Sequence, residues 1–275
     1  PLYGENFMPS AEEKLISYLT PYAKKRTALA FSGGADSTLL LFELSKLCCK
    51  EGGSVYAFYA STALNPRLEA KEALNICQSF NVSLEIIEIS VLEYIKNNPI
   101  NRCYLCKKHI FSAIADKARQ HKCDIIFDGT NSDDLKEYRP GIKALHELDI
   151  LSPLALMNIN KTEVRHILKN HNIKTAAKPS SPCLATRFPY GTCLTQEKLD
   201  AVGNAESKIK ALGFYNVRVR AHDNIARLEL DENELSQALA QKNVLIDIIK
   251  QSGFDYVTLD LEGFKSGSMD KHMQY

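Results

Sequence analysis

Residues 30–38 read AFSGGADST, and they join an apolar strand to an apolar helix through two consecutive glycines. Gly33 and Gly34 allow backbone dihedral angles that other residues avoid, and they leave no side chain in the path of a ligand. The N–H groups of such a turn and of the first helical turn converge on an anion, which the helix dipole also attracts. The stretch therefore predicts a phosphate site after the first strand.

Polar side chains in the same stretch indicate how a phosphate would be held. Ser32, Ser37 and Thr38 supply hydroxyl donors, whereas Asp36 would repel a bare phosphate and fits the site if Mg²⁺ bridges the two. The stretch is not a Walker A loop, because it lacks both the glycine spacing and the Lys of that motif. A glycine turn without a ligand is the alternative, and the coincidence of strand, glycine pair, acid and hydroxyls argues against it.

Length, charge and cysteine use narrow the class of protein. A chain of 275 residues can form two modest domains, and a net charge of +1 gives no general attraction for nucleic acid, so we expect no nucleic-acid partner. The sequence has neither a long apolar run nor the features of a secretion signal, which predicts a cytoplasmic protein with no membrane partner. Its eight cysteines are then expected to be thiols, metal ligands or nucleophiles rather than disulfides.

Alternating strands and helices predict the fold class. The helices are expected at 37–49 and 66–80, and the strands at 27–31, 54–59, 83–89 and 124–128. This alternation predicts an α/β fold with a doubly wound parallel sheet and a ligand at the carboxyl ends of its strands. After residue 190 a helix at 196–212 and short strands at 216–221 and 225–230 indicate an α+β pattern. We therefore expect one domain at 1–190 and a smaller α+β domain at 191–275.

A second loop, DGTNSDD at 128–134, follows the fourth predicted strand. Its glycine, hydroxyls and paired acids fit a second phosphate and metal loop facing the first, with Gly129 and Thr130 as the candidate contacts. An ordinary helix cap and turn is the alternative. Arg139 lies just beyond the acids and could bind phosphate or carboxylate, or form a surface salt bridge.

Two cysteine segments could carry further chemistry. Cys103 and Cys106 are three residues apart at a predicted helix start, so their sulfurs point the same way and can share a metal, a cluster or a redox bond. His109 could add a third zinc ligand. Cys183 lies in the proline-stiffened stretch KPSSPCLATRFPYG, where Lys178 and Arg187 would favour its thiolate.

The other cysteines have weaker signals. Cys48, Cys49, Cys77 and Cys123 are expected to pack in the core, because the first three lie in apolar helical patterns and the last precedes a strand. Cys193 could reach the same site as Cys183, but no neighbour requires it to.

Two arginines in the second predicted domain could hold a substrate. Arg218 and Arg220 fall on one face of a strand by its two-residue period. Adjacent guanidinium groups repel each other unless an anion lies between them, which favours a phosphate-bearing ligand. Solvated charges on an edge strand are the alternative.

Taken together, the motifs SGGADS, RCYLCK, GTNSDD, RPG, KPSSPCLATRFPYG, VRVR and DLEGFKSGSM resemble those of the LarE family of ATP-dependent sulfur transferases. The resemblance extends from about residue 10 to residue 270 and implies a PP-loop ATP pyrophosphatase fold, similar to that of the adenine nucleotide alpha hydrolases. It also implies a homo-oligomer, with a hexamer as the candidate assembly.

The resemblance implies a reaction and a role for each candidate residue. LarE enzymes use ATP to adenylate a carboxylate of pyridinium-3,5-biscarboxylic acid mononucleotide, and sulfur then displaces AMP. By resemblance, Asp36 would be catalytic, and Mg²⁺-pyrophosphate would be held by Ser32, Gly33, Gly34, Asp36, Ser37, Thr38, Gly129, Thr130 and Arg139. Arg218 and Arg220 would bind the substrate phosphate.

The sulfur source separates two branches of the family. In one branch a cysteine at the position of Cys183 gives up its own sulfur, whereas in the other Cys103, Cys106 and Cys183 hold a [4Fe-4S] cluster that carries a sulfide obtained from a sulfur donor. All three cysteines are present, and three thiolates leave one iron open, so the cluster branch is favoured. A tRNA thiolase and a non-catalytic iron–sulfur sensor that binds nucleotide are the rival functions.

Overall fold

A computed structural model of the chain describes residues 9–65, 69–136, 141–179, 182–265 and 269. The chain forms two compact units. The described part of the first unit comprises residues 9–61, 69–89, 103–136 and 141–178, and that of the second comprises residues 62–65, 90–102, 179, 182–265 and 269.

Helices and strands alternate through the first unit as expected for an α/β fold. In the described ranges the strands are β1 (Arg26–Ala30), β2 (Ser54–Ser61), β3 (Ser83–Glu88), β4 (Ile125–Phe127), β5 (Arg218–His222), β6 (Ile225–Glu229) and β7 (Tyr256–Leu259). The helices are α1 (Ala11–Leu19), α2 (Ala35–Glu51), α3 (Glu69–Ser79), α4 (Leu92–Ile95), α5 (Arg102–Gln120), α6 (Gly141–Glu147), α7 (Pro153–Leu156), α8 (Lys161–Asn170), α9 (Gln196–Ala211), α10 (Leu235–Ala240) and α11 (Lys242–Gln251).

The first unit is built on a parallel sheet with the order β3-β2-β1-β4. Strand β1 is flanked on both sides, since Ala28 is in register with Tyr56 of β2 and with Ile126 of β4. Its residues Ala28 and Leu29 are fully buried, as expected for a strand covered on both faces. The predicted parallel α/β sheet is confirmed, and the loop after β1 lies between two neighbouring strands.

Helix α2 supplies much of the core beside this sheet. The core cluster contains its fully buried leucines at 39, 40, 41 and 44, together with Leu15 of α1 and Leu168 of α8. The helix ends at Gly52, which takes the left-handed conformation with φ 83° that glycine accepts at little cost. It begins two residues before the predicted start, directly at the glycine turn.

The second unit contains a small mixed sheet with the order β5-β6-β7. Strands β5 and β6 are antiparallel and join through a turn in which Asp223 has φ 53°, whereas β6 and β7 are parallel. Val219 and Leu228 face each other and are buried. With α9 and α11 in the same unit, this confirms the predicted α+β character of the C-terminal region.

A membrane-spanning helix would need a long run of apolar residues. Within the described ranges, every helix falls short of the length and apolarity that crossing a bilayer requires.

Candidate functional site

The glycine turn after β1 joins the parallel sheet to α2. The N–H of Phe31 donates to the carbonyl of Phe58 in β2 at 2.9 Å, which extends the sheet by one residue before the turn. Gly33 then has φ 69°, a left-handed conformation that L-residues with side chains rarely adopt. Gly34 precedes the first residue of α2 in an extended conformation. The predicted strand, turn and helix are therefore all present.

Serine hydroxyls pack inside the turn. The Oγ atoms of Ser32 and Ser37 are 3.2 Å apart, and the N–H of Gly34 donates to Ser32 Oγ at 3.3 Å. Ser37 Oγ also accepts from the N–H of Ser32 at 3.3 Å. These long bonds are weak ones that a phosphate oxygen could replace. Thr38 is fully buried one position further along α2.

The second loop approaches the start of α2 very closely. A Cβ atom placed on Gly129 would lie 3.0 Å from the backbone nitrogen of Ser37, so only glycine fits there without a shift. The hydroxyl of Thr130 donates to Asp128 at 2.6 Å, and both residues are buried. Gly129 and Thr130 therefore follow β4 and lie beside the start of α2.

Asp36 in the first turn of α2 is the centre of a polar network in the first unit. One of its carboxylate oxygens forms an ion pair with the ammonium of Lys161, and the other accepts from Asn131 Nδ2 at 3.3 Å. The backbone N–H of Lys161 also donates to Asp133 at 3.0 Å. Carboxylate oxygens and a cation thus meet at the positive end of α2.

The sequence analysis missed Lys161. Its position follows from a capping box at the start of α8, in which Asn160 accepts from the N–H of Glu163 at 2.9 Å and Glu163 accepts from the N–H of Asn160 at 2.8 Å. The box places Lys161 as the first residue of the helix. The run NKTE at 160–163 carries that signal in the sequence, but its proximity to Asp36 depends on contacts 125 residues apart.

Lys178 contacts the glycine turn directly. Its ammonium donates to the carbonyl of Gly33 at 3.1 Å and to the carboxylate of Glu72 at 2.8 Å. Lys178, which the sequence analysis expected to favour the thiolate of Cys183, therefore binds at the glycine turn. With Lys161, it brings a second ammonium group to the residues around Gly33 and Asp36.

The cysteines of the first unit differ in exposure. Cys103 is exposed and Cys106 is half-buried, and both lie in the first two turns of α5 at the spacing that places them on one helix face. Burial raises the pKa of Cys77 to about 12, as expected for a core thiol, and it also raises the pKa of Cys48. The expectation of core packing is wrong for Cys49, which is exposed.

In the second unit, Cys183 begins a tightly held loop. It is half-buried and directly precedes a 3₁₀ turn at Leu184–Arg187. The buried Asn98 donates its side-chain amide to the carbonyls of Phe188 at 3.0 Å and Pro189 at 2.9 Å. The N–H of Leu184 donates to the carbonyl of Leu64 at 3.0 Å. Backbone bonds as well as prolines therefore fix the place of Cys183, while Cys193 in the same unit is exposed.

Arg187 is paired inside the second unit. It forms a two-pronged ion pair with Glu206, at 2.7 Å and 2.9 Å, and both side chains are at most 5% exposed. Its remaining nitrogen donates to the hydroxyl of Thr186 at 2.7 Å. The charge of Arg187 is thus balanced by Glu206 rather than left for the thiolate of Cys183.

Arg218 and Arg220 lie on one face of the mixed sheet, which we call the arginine face. Cross-strand register places Arg218 opposite Glu229 and Arg220 opposite Arg227, so the arginine face consists of these four residues. Both predicted arginines are at most 5% exposed, so the alternative of solvated edge charges is wrong.

Acidic residues contact two arginines of the arginine face. Arg220 contacts Glu229 at 2.9 Å, and Arg227 contacts Glu229 at 3.1 Å and Asp260 at 3.3 Å. Burial, followed by the charge of Arg187, lowers the pKa of Arg218 to about 10, and the guanidinium lies 5.0 Å from the ring centre of Phe264. Such a shift indicates crowded positive charge in a region of low solvation.

Arg139, the cation that the sequence analysis placed beyond the second loop, lies outside the described residues.

Comparisons with known proteins agree with this architecture. A family model described as a PP-loop domain matches residues 8–138. The chain is 38% identical over 253 residues to an uncharacterized protein of Synechocystis sp., covering 90% of this chain and 92% of that protein. It is 33% identical over 245 residues to an uncharacterized protein of Methanocaldococcus jannaschii, covering 89% and 93%.

The name of a third relative states an activity. The chain is 34% identical over 248 residues to pyridinium-3,5-bisthiocarboxylic acid mononucleotide synthase of Lactiplantibacillus plantarum, and the match covers 90% of this chain and 89% of that enzyme. This identity extends over nearly the whole of both chains, and the chain also has the parallel sheet and the glycine turn described above. The chain therefore belongs to the LarE family within the PP-loop superfamily.

Proposed function

We propose that this protein is an ATP-dependent sulfur transferase that converts a carboxylate of pyridinium-3,5-biscarboxylic acid mononucleotide to a thiocarboxylate. The observation that carries the proposal is the glycine turn with Asp36 and Lys161 beside it, in a chain 34% identical to a synthase of the bisthiocarboxylic acid mononucleotide. A second domain at 191–275 that holds the substrate is part of the proposal.

The first step is adenylation. A carboxylate oxygen of the substrate attacks the α-phosphorus of ATP, the bond to the β-phosphate oxygen breaks, and an acyl adenylate and pyrophosphate result. The N–H groups of Gly33, Gly34 and the start of α2 bind the pyrophosphate as it leaves. Ser32 and Ser37 donate from their hydroxyls, and Thr38, Gly129, Thr130 and Arg139 complete the proposed ATP and pyrophosphate contacts.

Lys161 and Lys178 have a role in the same step. Negative charge builds on the β-phosphate oxygen as the bond to the α-phosphorus breaks, and an ammonium near that oxygen stabilises it. Lys161 can move from Asp36 to the phosphates by side-chain rotation, because its side chain is 30% exposed.

The residues beside the turn fit Mg²⁺. Asp36 and Asp133 offer carboxylate oxygens, the ligand type that this hard cation prefers, and Asp36 lies where a phosphate is expected. Bound Mg²⁺ would neutralise charge on the phosphate oxygens of ATP.

The arginine face fits a phosphate monoester. Four arginines and three carboxylates lie on or beside it; they are Arg187, Arg218, Arg220, Arg227, Glu206, Glu229 and Asp260. Guanidinium groups bind phosphate oxygens through paired hydrogen bonds, and adjacent guanidinium groups favour an anion between them. We propose that Arg218 and Arg220 bind the phosphate of the mononucleotide substrate.

The thiols supply the sulfur chemistry. We propose that Cys103, Cys106 and Cys183 are the ligands of a [4Fe-4S] cluster, because three thiolates are a donor set that suits iron and leaves one iron open. When bound, the cluster would carry the sulfide that replaces AMP on the activated carbon. Direct sulfur donation from Cys183 is the second candidate, favoured by the fixed position of its loop.

Pyrophosphate release tests the reaction. Release that requires the pyridinium mononucleotide supports the proposal, whereas release that requires tRNA indicates a tRNA thiolase, and no release with either indicates a nucleotide-binding sensor. We further propose a cytoplasmic homo-oligomer without nucleic-acid partners, a hexamer being the candidate, which sedimentation of the purified protein tests.

Iron analysis tests the sulfur source. Protein purified without oxygen should contain iron and acid-labile sulfide, and the Cys103→Ala and Cys106→Ala variants should lose both. Cys49→Ala is the matched control, because Cys49 is also an exposed thiol on a helix of the same unit. Wild-type protein that holds no iron and turns over once would instead support sacrifice of Cys183.

A further inference from the structure

Three potential metal ligands from different helices meet in the first unit. Glu12 lies in the first turn of α1, Glu43 lies in the middle of α2, and His171 directly follows α8. One ligand atom from each side chain lies within 4.8 Å of the other two. Neither the sequence motifs nor the proposed sulfur transfer uses these residues.

Glu43 distinguishes this cluster from an ordinary surface ion pair. Its side chain is only 1% exposed, and its Oε1 atom is buried with no hydrogen-bond partner among the described residues. The other oxygen, Oε2, has a single long contact, 3.4 Å from the ammonium of Lys46. A buried carboxylate oxygen without a partner costs free energy, so this position calls for a ligand.

His171 and Glu12 complete the cluster from the solvent side. His171 Nε2 is 2.7 Å from Glu12 Oε1, and the two side chains are 32% and 26% exposed. The imidazole also packs against the ring of Phe42, with the ring centres 4.7 Å apart. The ring is therefore held in place while Nε2 faces the carboxylate of Glu12.

We propose that Glu12, Glu43 and His171 form a structural binding site for a divalent transition metal of the Zn²⁺ class. One imidazole nitrogen and two carboxylate oxygens are ligands that Zn²⁺ accepts, and water can fill the fourth position. The two carboxylates balance the charge of the metal. The unpartnered oxygen of Glu43 gains the partner that it lacks.

Small side-chain movements would complete this geometry. Ligands about 2.0–2.2 Å from a tetrahedral zinc lie roughly 3.4 Å from one another. A pair at the 4.8 Å limit would approach by about 1.4 Å, and the His171–Glu12 pair, now 2.7 Å apart, would separate by about 0.7 Å. Glu12 can rotate because it is partly exposed. Lys46 can leave Glu43, since its side chain is 48% exposed and its ammonium already lies 4.5 Å from the ring centre of Phe42.

Such a site would join three helices of the first unit. Because the ligands come from α1, from α2 and from the residue that directly follows α8, the metal would crosslink helices that pack the core beside the sheet. The inference does not depend on the proposed sulfur transfer, and its test uses zinc binding and thermal stability rather than enzyme activity.

Zinc binding by the full-length chain tests the site. The parent for this experiment carries Cys103→Ser, Cys106→Ser and Cys183→Ser, because those thiols would bind zinc themselves. Equilibrium dialysis against Zn²⁺ should yield about one bound zinc per chain. Glu43→Gln and His171→Ala should each weaken binding at least about tenfold, which corresponds to about 1.4 kcal/mol.

Matched variants separate loss of the site from loss of the fold. His166→Ala removes another exposed histidine from α8 and should leave zinc binding unchanged. Glu12 is partly exposed, so Glu12→Gln should leave the fold intact and still weaken zinc binding. This variant keeps the test valid if Glu43→Gln disturbs folding. Zinc should raise the melting temperature of the parent and not that of Glu12→Gln. The proposal is overturned if the parent binds no zinc, or if Glu12→Gln and His171→Ala retain the parent's affinity.

Discussion

The ammonium of Lys161 at the start of α8 pairs with the carboxylate of Asp36 at the start of α2. The pair joins residues 125 positions apart in the sequence and lies beside the glycine turn. It brings a positive charge to the place where the proposed pyrophosphate forms, next to a carboxylate suited to Mg²⁺.

Lys161→Ala should slow pyrophosphate release by about 10²–10³-fold, because it removes a cation from the oxygen on which charge develops. Pyrophosphate release in single-turnover experiments measures the effect. Lys169→Ala, at the exposed end of the same helix, is the control and should react at the wild-type rate. An unchanged rate in Lys161→Ala would remove the lysine from the proposed chemistry.

Gly129→Ala should weaken ATP binding about tenfold or more, since the new Cβ lies 3.0 Å from the nitrogen of Ser37 and must displace the start of α2. Calorimetric titration with ATP measures the affinity. Gly213→Ala is the control because Gly213 has φ 99° and open space around it. That control should lose about 1–2 kcal/mol of stability with unchanged ATP affinity. Equal effects of the two variants on ATP affinity would contradict the close approach.

Glu206→Gln should lower the free energy of unfolding by about 3–5 kcal/mol, because it leaves the buried guanidinium of Arg187 without its charged partner. Urea denaturation measures the change. Asp116→Asn breaks the exposed pair with Arg119, whose side chains are 62% and 76% exposed, and should alter stability by less than about 1 kcal/mol. Similar losses in both variants would mean that burial does not increase the contribution of the Arg187–Glu206 pair to the free energy of unfolding.

Glu85 should make the stability of the first unit depend on pH. The ammonium of Lys117, with a contribution from His121, lowers the pKa of Glu85 below its ordinary value of 4.5. The unfolded chain therefore takes up this proton first, so the stabilising contribution is complete above pH 4.5 and is lost as the pH falls through the lower folded value. Urea midpoints between about pH 6 and pH 3 should fall less steeply for Glu85→Gln than for wild type. Parallel profiles would remove Glu85 as a source of the acid sensitivity.

Local patterns predicted the fold and the PP-loop family, and both are confirmed. The strand, glycine pair and helix at the turn depend on neighbouring residues, so the sequence alone carries them. The predicted helix at 66–80 starts at Glu69 among the described residues. The roles of the site residues and the boundary at residue 190 stay predictions.

Long-range contacts were beyond the sequence analysis. A capping box predicts where α8 starts, yet only the folded chain brings Lys161 to Asp36. Likewise, the two-residue period placed Arg218 and Arg220 on one face, but it could not show that Glu229 pairs with Arg220 across the sheet. Arg218 and Arg220 are buried by packing within the second unit, and no local sequence pattern predicts that burial.

Helix α8 carries Lys161 as its first residue and is followed directly by His171. Ten helical residues rise about 15 Å, so a single helix connects Lys161, beside the glycine turn, to the proposed zinc ligand His171. Thermodynamic linkage between the two ends must be reciprocal. If bound nucleotide changes the affinity for zinc by a given factor, bound zinc changes the affinity for nucleotide by the same factor.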